Sequence, residues 1–248
     1  MNTNASFLSR LPLGHPASSA RVSSLAGRLV PWLASGALLL MLAGLAAAMS
    51  IERGDIPQGG AWRIVFVHVP AAWMSLFLYL LMAFYAVLAL VRGRRLPSLI
   101  MTALAPTGTI FTLIALATGS LWGKATWGAW WVWDARLTSE LILLFLYIGF
   151  LALRSAIVDP RRADRACAVL VLVGVINMPN VYFSVRWWNT LHQAGPAGLM
   201  GSPDLPGAVF AGMLVMALAF CMYSGAAVLA RVRCLILERD AAAHEDKT

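Results

Sequence analysis

Two histidines and one tryptophan cluster carry the chemistry in this sequence. His68 stands in RIVFVHVP and His192 in WWNTLHQ. Between them runs WGKATWGAWWVWD, from Trp122 to Asp134, with Trp122, Trp127, Trp130, Trp131 and Trp133 inside thirteen residues. An indole is large and flat and has a single N–H donor, so a buried one needs space and an acceptor. Five of them, interrupted by Gly123 and Gly128, form a hydrophobic platform suited to a flat molecule. Neutral imidazole is a good iron ligand. Two imidazoles flanking an aromatic platform are what bis-histidine ligation of a haem requires. A lone interfacial histidine is usually only a polar residue, so the reading rests on the combination. Zinc fits less well. It takes four ligands, commonly with Cys or carboxylate, and Cys167, Cys221 and Cys234 all lie away from the histidine-bearing segments. There is no CxxCH, so the chain is not itself a c-type haem protein.

Charged residues near these groups are few. Arg63 precedes His68 by five positions and Arg136 follows Asp134 by two. Guanidinium pairs carboxylates through a planar fork, which makes both candidates for haem propionates, or else anchors at lipid headgroups. Lys124 and Arg186 are the other cations close by. Asp134 closes the motif and reads first as a structural residue. Glu140 is an acid near the start of an apolar span, a functional candidate by default or simply a hydrated one.

The elements that position these residues must be membrane helices. The chain has 248 residues, 60% hydrophobic and 12% charged, with a mean hydropathy of +0.75. A soluble domain carries about 25% charged residues. Six apolar runs approach or exceed the ~20 residues that cross a bilayer: 29–50, 69–91, 99–121, 137–153, 167–185 and 205–230. The fifth contains Asn177, Pro179 and Asn180 and is the least suited to a straight helix. The first ends in small residues, but its run is too long for a signal-peptide core and is read as a retained helix. The fold class is therefore an all-α polytopic membrane protein with six transmembrane helices. Polar tails over 1–28 and 231–248 flank a membrane domain over 29–230. Of the 19 basic residues, only Arg53, Arg63, Lys124, Arg136 and Arg186 fall on the side of the tryptophan motif. The positive-inside rule then places both termini in the cytoplasm and the tryptophan-rich loop outside, between helices three and four. The same distribution accounts for the net charge of +8 and argues against nucleic-acid binding. Apart from Trp32, the tryptophans lie on the outer side. Trp62, Trp187 and Trp188 are read as ordinary interfacial anchors.

WGxxxWGxWWxWDxRLTSELILLF resembles the "WWD" domain of the haem-handling protein family. Length, six spans and one flanking histidine on each side resemble the haem exporter protein C branch of system I cytochrome c maturation, over residues 29–230. The resemblance implies that haem b is held on the outer face of the bacterial inner membrane and loaded onto a periplasmic haem chaperone. It implies His68 and His192 as axial ligands, and Trp122, Gly123, Trp127, Gly128, Trp130, Trp131, Trp133 and Asp134 as the haem and chaperone platform. It also implies a small single-span helper and the ABC-transporter ATPase and membrane subunits as partners. Two other classes are weighed. A haem b electron-transfer subunit would place paired histidines inside the spans. A small-solute transporter would show repeated halves and polar residues near the midplane, for which Asn177 and Asn180 are the only hint.

Overall fold

A computed structural model describes residues 16–50, 59–93, 95–187 and 207–245. Most of the described residues are helical, in α1 (Pro16–Ser50), a short 3-10 turn (Gly59–Ile64), α2 (Val65–Arg92), α3 (Arg95–Trp127), α4 (Ala135–Ala156), α5 (Pro160–Gly174), α6 (Asn177–Trp187) and α7 (Gly207–Glu245). Six helices are long and apolar enough to cross a membrane, with α5 and α6 together forming the fifth. α2 pairs with α3 and also touches α5 and α7; α1 lies along α7; α4 packs against α3, α5 and α6.

Local chemistry sets the helix ends. α2 stops at Gly93, whose φ of 59° is left-handed and whose N–H reaches the Ala89 carbonyl, a glycine cap. α5 starts at Pro160, with Asp159 accepting the backbone N–H groups of Arg161 and Arg162. Those two bonds, Arg162 first, hold the Asp159 carboxyl below the ordinary aspartate value. The cap is therefore in place above the ordinary aspartate pKa and is lost as pH falls through the lowered one.

The fifth span is broken, as its polar residues suggest. α5 ends at Gly174 and α6 begins at Asn177. Pro179 has no N–H to return to the preceding turn, and the Asn177 side chain donates instead to the Ser139 carbonyl of α4 at 2.8 Å.

Several boundaries differ from the sequence reading, among them the start of the fifth span, at Pro160 instead of 167. Helix α3 runs on through Trp127, so half of the tryptophan motif is helical. Nothing in GKATW stops a helix, and the first left-handed residue is Gly128, φ 77°. Helices α1 and α7 likewise extend into the segments expected as tails, from Pro16 and to Glu245. No strong helix breaker interrupts either extension.

The bundle centre is built on two tyrosines. Tyr79 of α2 and Tyr147 of α4 are fully buried and meet edge to face at 5.2 Å. Tyr147 lies against Gly108 of α3 and Tyr79 against Gly174 of α5, where an added Cβ would collide with each ring. The Tyr147 hydroxyl donates to the Ser75 carbonyl, and the Ser75 hydroxyl donates to Glu140, both at 2.8 Å. Glu140 is buried, 7% exposed. It is not the hydrated acid that its place near a span end allowed, because α2 and α4 close over it.

Candidate functional site

His68 sits in the first turn of α2, at the end of the bundle that carries the tryptophan motif, and is 9% exposed. Its Nδ1 is 3.0 Å from the Ala115 carbonyl and 3.1 Å from Thr118 Oγ1, both on α3. A carbonyl only accepts, so Nδ1 is the protonated nitrogen. That tautomer puts the lone pair on Nε2, the form a ligating histidine needs. Trp122 packs edge to face on the imidazole, with centroids 5.7 Å apart at 77°.

Trp62 joins the same wall. It is 3% exposed and packs with Phe66, Val69 and Met213 of the core, with Trp73 and Trp122 alongside. The sequence reading of Trp62 as an ordinary interfacial anchor is therefore corrected. The 3-10 turn before α2 folds it inward, and its ring meets Phe66 at 5.7 Å. The buried indole N–H groups of Trp62, Trp122 and Trp131 have no hydrogen-bond partner among the described residues.

The motif is a helix end, a reversal and a cap. Trp122 to Trp127 complete α3. Gly128 then turns the chain in a conformation that L side chains rarely adopt, and Lys124 Nζ donates to its carbonyl at 3.0 Å. Gly123 is buried because the Ala129 carbonyl and the Trp127 ring come back onto it; a Cβ there would stand 3.1 Å from that oxygen. Asp134 caps α4, accepting the Leu137 N–H at 2.7 Å. The five indoles do not share one plane: Trp131 and Trp133 meet edge to face at 76°. Trp130 and Trp133 are 56% and 78% exposed. The motif therefore presents three part-buried indoles, Trp122, Trp127 and Trp131, and two exposed ones, Trp130 and Trp133.

Two substitutions check this construction. Gly128→Val should destabilise the protein by about 1–2 kcal/mol through its positive φ, seen as a lower melting temperature of the purified protein. Asp134→Ala should cost about 1 kcal/mol while Asp134→Asn, which still caps, stays close to wild type.

Both candidate arginines are tied to backbone. Arg63 Nε donates to the Ala48 carbonyl of α1 at 2.9 Å, and its guanidinium lies 5.4 Å from the Trp62 centroid. Arg136 Nη1 donates to the Val181 carbonyl of α6 at 3.1 Å. Each bond fixes one N–H of a five-donor fork and orients the remainder. The structure thus brings His68, Trp122 and Trp62 together, with Arg63 beside Trp62. His192 and Trp188 lie outside the described residues, as does the Arg186 side chain. Trp187 is 56% exposed and stacks on Phe183 at 5.2 Å. Thr118 and Gly119 were not singled out from the sequence; only the pairing of α2 with α3 shows that they face His68.

The model of the family described as heme exporter protein C matches residues 13–247. The chain belongs to this family. It is 44% identical to heme exporter protein C of Escherichia coli K12 over 217 residues, 88% of this chain and 87% of that one. Heme exporter protein C of Bradyrhizobium diazoefficiens is also 44% identical, over 223 residues, 90% of this chain and 84% of that one. A putative cytochrome c biosynthesis ccmC-like mitochondrial protein of Marchantia polymorpha is 45% identical over 152 residues, 61% of this chain and 64% of that one. His68, Arg63, the tryptophan motif, Arg136 and His192 all fall inside the range the heme exporter protein C model matches.

Proposed function

We propose that this chain binds haem b at the tryptophan end of the bundle and hands it to a periplasmic haem chaperone, serving haem export in c-type cytochrome biogenesis. The names of its relatives give the haem and cytochrome c context. The observation that carries the reading is His68: a buried imidazole with its Nδ1 proton held by α3 and the Trp122 edge against its ring. His68 Nε2 then serves as one axial ligand and His192, from the segment joining α6 to α7, as the other. Arg63 and Arg136 take the propionates. The buried Trp62 and the part-buried Trp122 and Trp131 line the haem; the exposed Trp130 and Trp133, with Trp127, Gly123, Gly128 and Asp134 shaping the loop, face the chaperone. No side chain is assigned as catalytic. Holding haem and chaperone together supplies the proximity that turns a bimolecular step into an effectively unimolecular one. The basic residues concentrated at the opposite end favour a cytoplasmic position for both termini in the bacterial inner membrane and a periplasmic site. A single-span helper and the ABC-transporter subunits complete the assembly.

Affinity purification of the chain from a strain lacking the ABC subunits tests this reading. Haem and the haem-loaded chaperone should accumulate with it. A preparation that carries neither, with the chaperone expressed, contradicts it.

A further inference from the structure

We infer that Thr118, together with the Ala115 carbonyl and the notch at Gly119, is the positioning element that sets the tautomer and the plane of His68. This rests on the reading of His68 as an iron ligand. Residues 115, 118, 119 and 122 follow the helical spacing that puts them on one face of α3, the face turned toward the imidazole. Ala115 supplies a carbonyl 3.0 Å from Nδ1, and Thr118 an oxygen 3.1 Å from it. The Thr118 hydroxyl hydrogen is directed to the carbonyls of its own helix, Ile114 and Ala115, so toward His68 that oxygen acts as an acceptor. Gly119 removes the side chain that would press on the ring: a Cβ there would lie 3.0 Å from His68 Cε1. Trp122 closes the next turn. The ring is thus held by two acceptors on Nδ1 and by the Trp122 edge, with no side chain at Gly119 to crowd Cε1.

Two acceptors on Nδ1–H do more than hold a rotamer. They pull the proton away from the ring and make Nε2 a stronger electron donor, which is how outer partners tune a ligating histidine. Donation of this kind stabilises ferric over ferrous iron. Thr118 therefore tunes both how tightly haem is held and its midpoint potential.

The test titrates haem b into purified full-length protein carrying Thr118→Val, Thr118→Ser or Gly119→Ala. Valine keeps the shape and removes the acceptor. We expect affinity to fall about 10-fold, the lower end of outer-partner losses, and the midpoint potential to rise. Serine should restore both. Gly119→Ala should keep the haem but alter the g-anisotropy of the low-spin ferric EPR signal, which reports the imidazole plane. A Thr118→Val protein with wild-type affinity and potential overturns the inference, as does a Thr118→Ser protein that fails to recover. His68→Ala in the same titration separates the two levels. If it loses the ligand while Thr118→Val is silent, only the positioning role falls. If it keeps the wild-type spectrum, the ligand assignment falls and the inference with it.

Discussion

His68→Gly is expected to weaken haem retention by more than about 100-fold, beyond the upper end of what loss of an outer partner costs a metal site. The substitution removes the donor atom itself and leaves its partners in place. The Ala115 carbonyl and Thr118 Oγ1 remain on α3, and Trp122 still closes the cavity. Added imidazole should enter that cavity, donate to the same carbonyl and restore the Soret band. His192→Gly should also lose the wild-type spectrum. The combination of loss with chemical rescue distinguishes a ligand from a packing residue, because a merely misfolded variant is not repaired by a small heterocycle.

Gly108→Leu is expected to destabilise the bundle by about 3 kcal/mol, the upper part of the range for overpacking, and Gly108→Ala by about 1–3 kcal/mol. The Tyr147 ring occupies the space a side chain at 108 would need. Tyr147 is fully buried and tied by its hydroxyl to the Ser75 backbone, so it has no easy retreat. Displacing it also disturbs the Ser75–Glu140 bond, two helical turns below His68 on α2. Haem retention should therefore fall with stability rather than independently of it. Gly149→Ala is the matched control. Its added Cβ meets only a Leu170 methyl at 3.8 Å, so the melting temperature should stay level or rise slightly from the better helix propensity.

Six spans were legible because a bilayer demands long apolar runs, and the break in the fifth was legible in Asn177 and Pro179, whose backbone and side-chain chemistry resist a straight helix. His68 and the tryptophan motif stood out by type and density. The course of the motif did not: helix α3 claims Trp122 to Trp127 because only Gly128 forces a reversal. Trp62 read as an anchor because interfacial tryptophans usually are, and its inward turn depends on a 3-10 segment with no sequence signature of its own. Asp134 was expected to be structural, yet its N-cap bond to Leu137 is visible only once α4 is known to start at Ala135. Thr118, Gly119 and Gly108 were illegible for a common reason. Small residues on membrane helices look like ordinary packing, and which side chain fills the space beside them is decided by the neighbouring helix.

The proposed site is a bis-histidine haem site at the tryptophan end, with His68 as one ligand. Near-infrared magnetic circular dichroism of the ferric, haem-loaded protein tests it most directly, because the charge-transfer band reports the axial ligand pair. A bis-imidazole band is expected in the wild type, lost in His68→Gly and restored by imidazole. A five-coordinate haem in the wild type, a pair containing methionine or thiolate, or a bis-imidazole band that survives His68→Gly without added imidazole would contradict it.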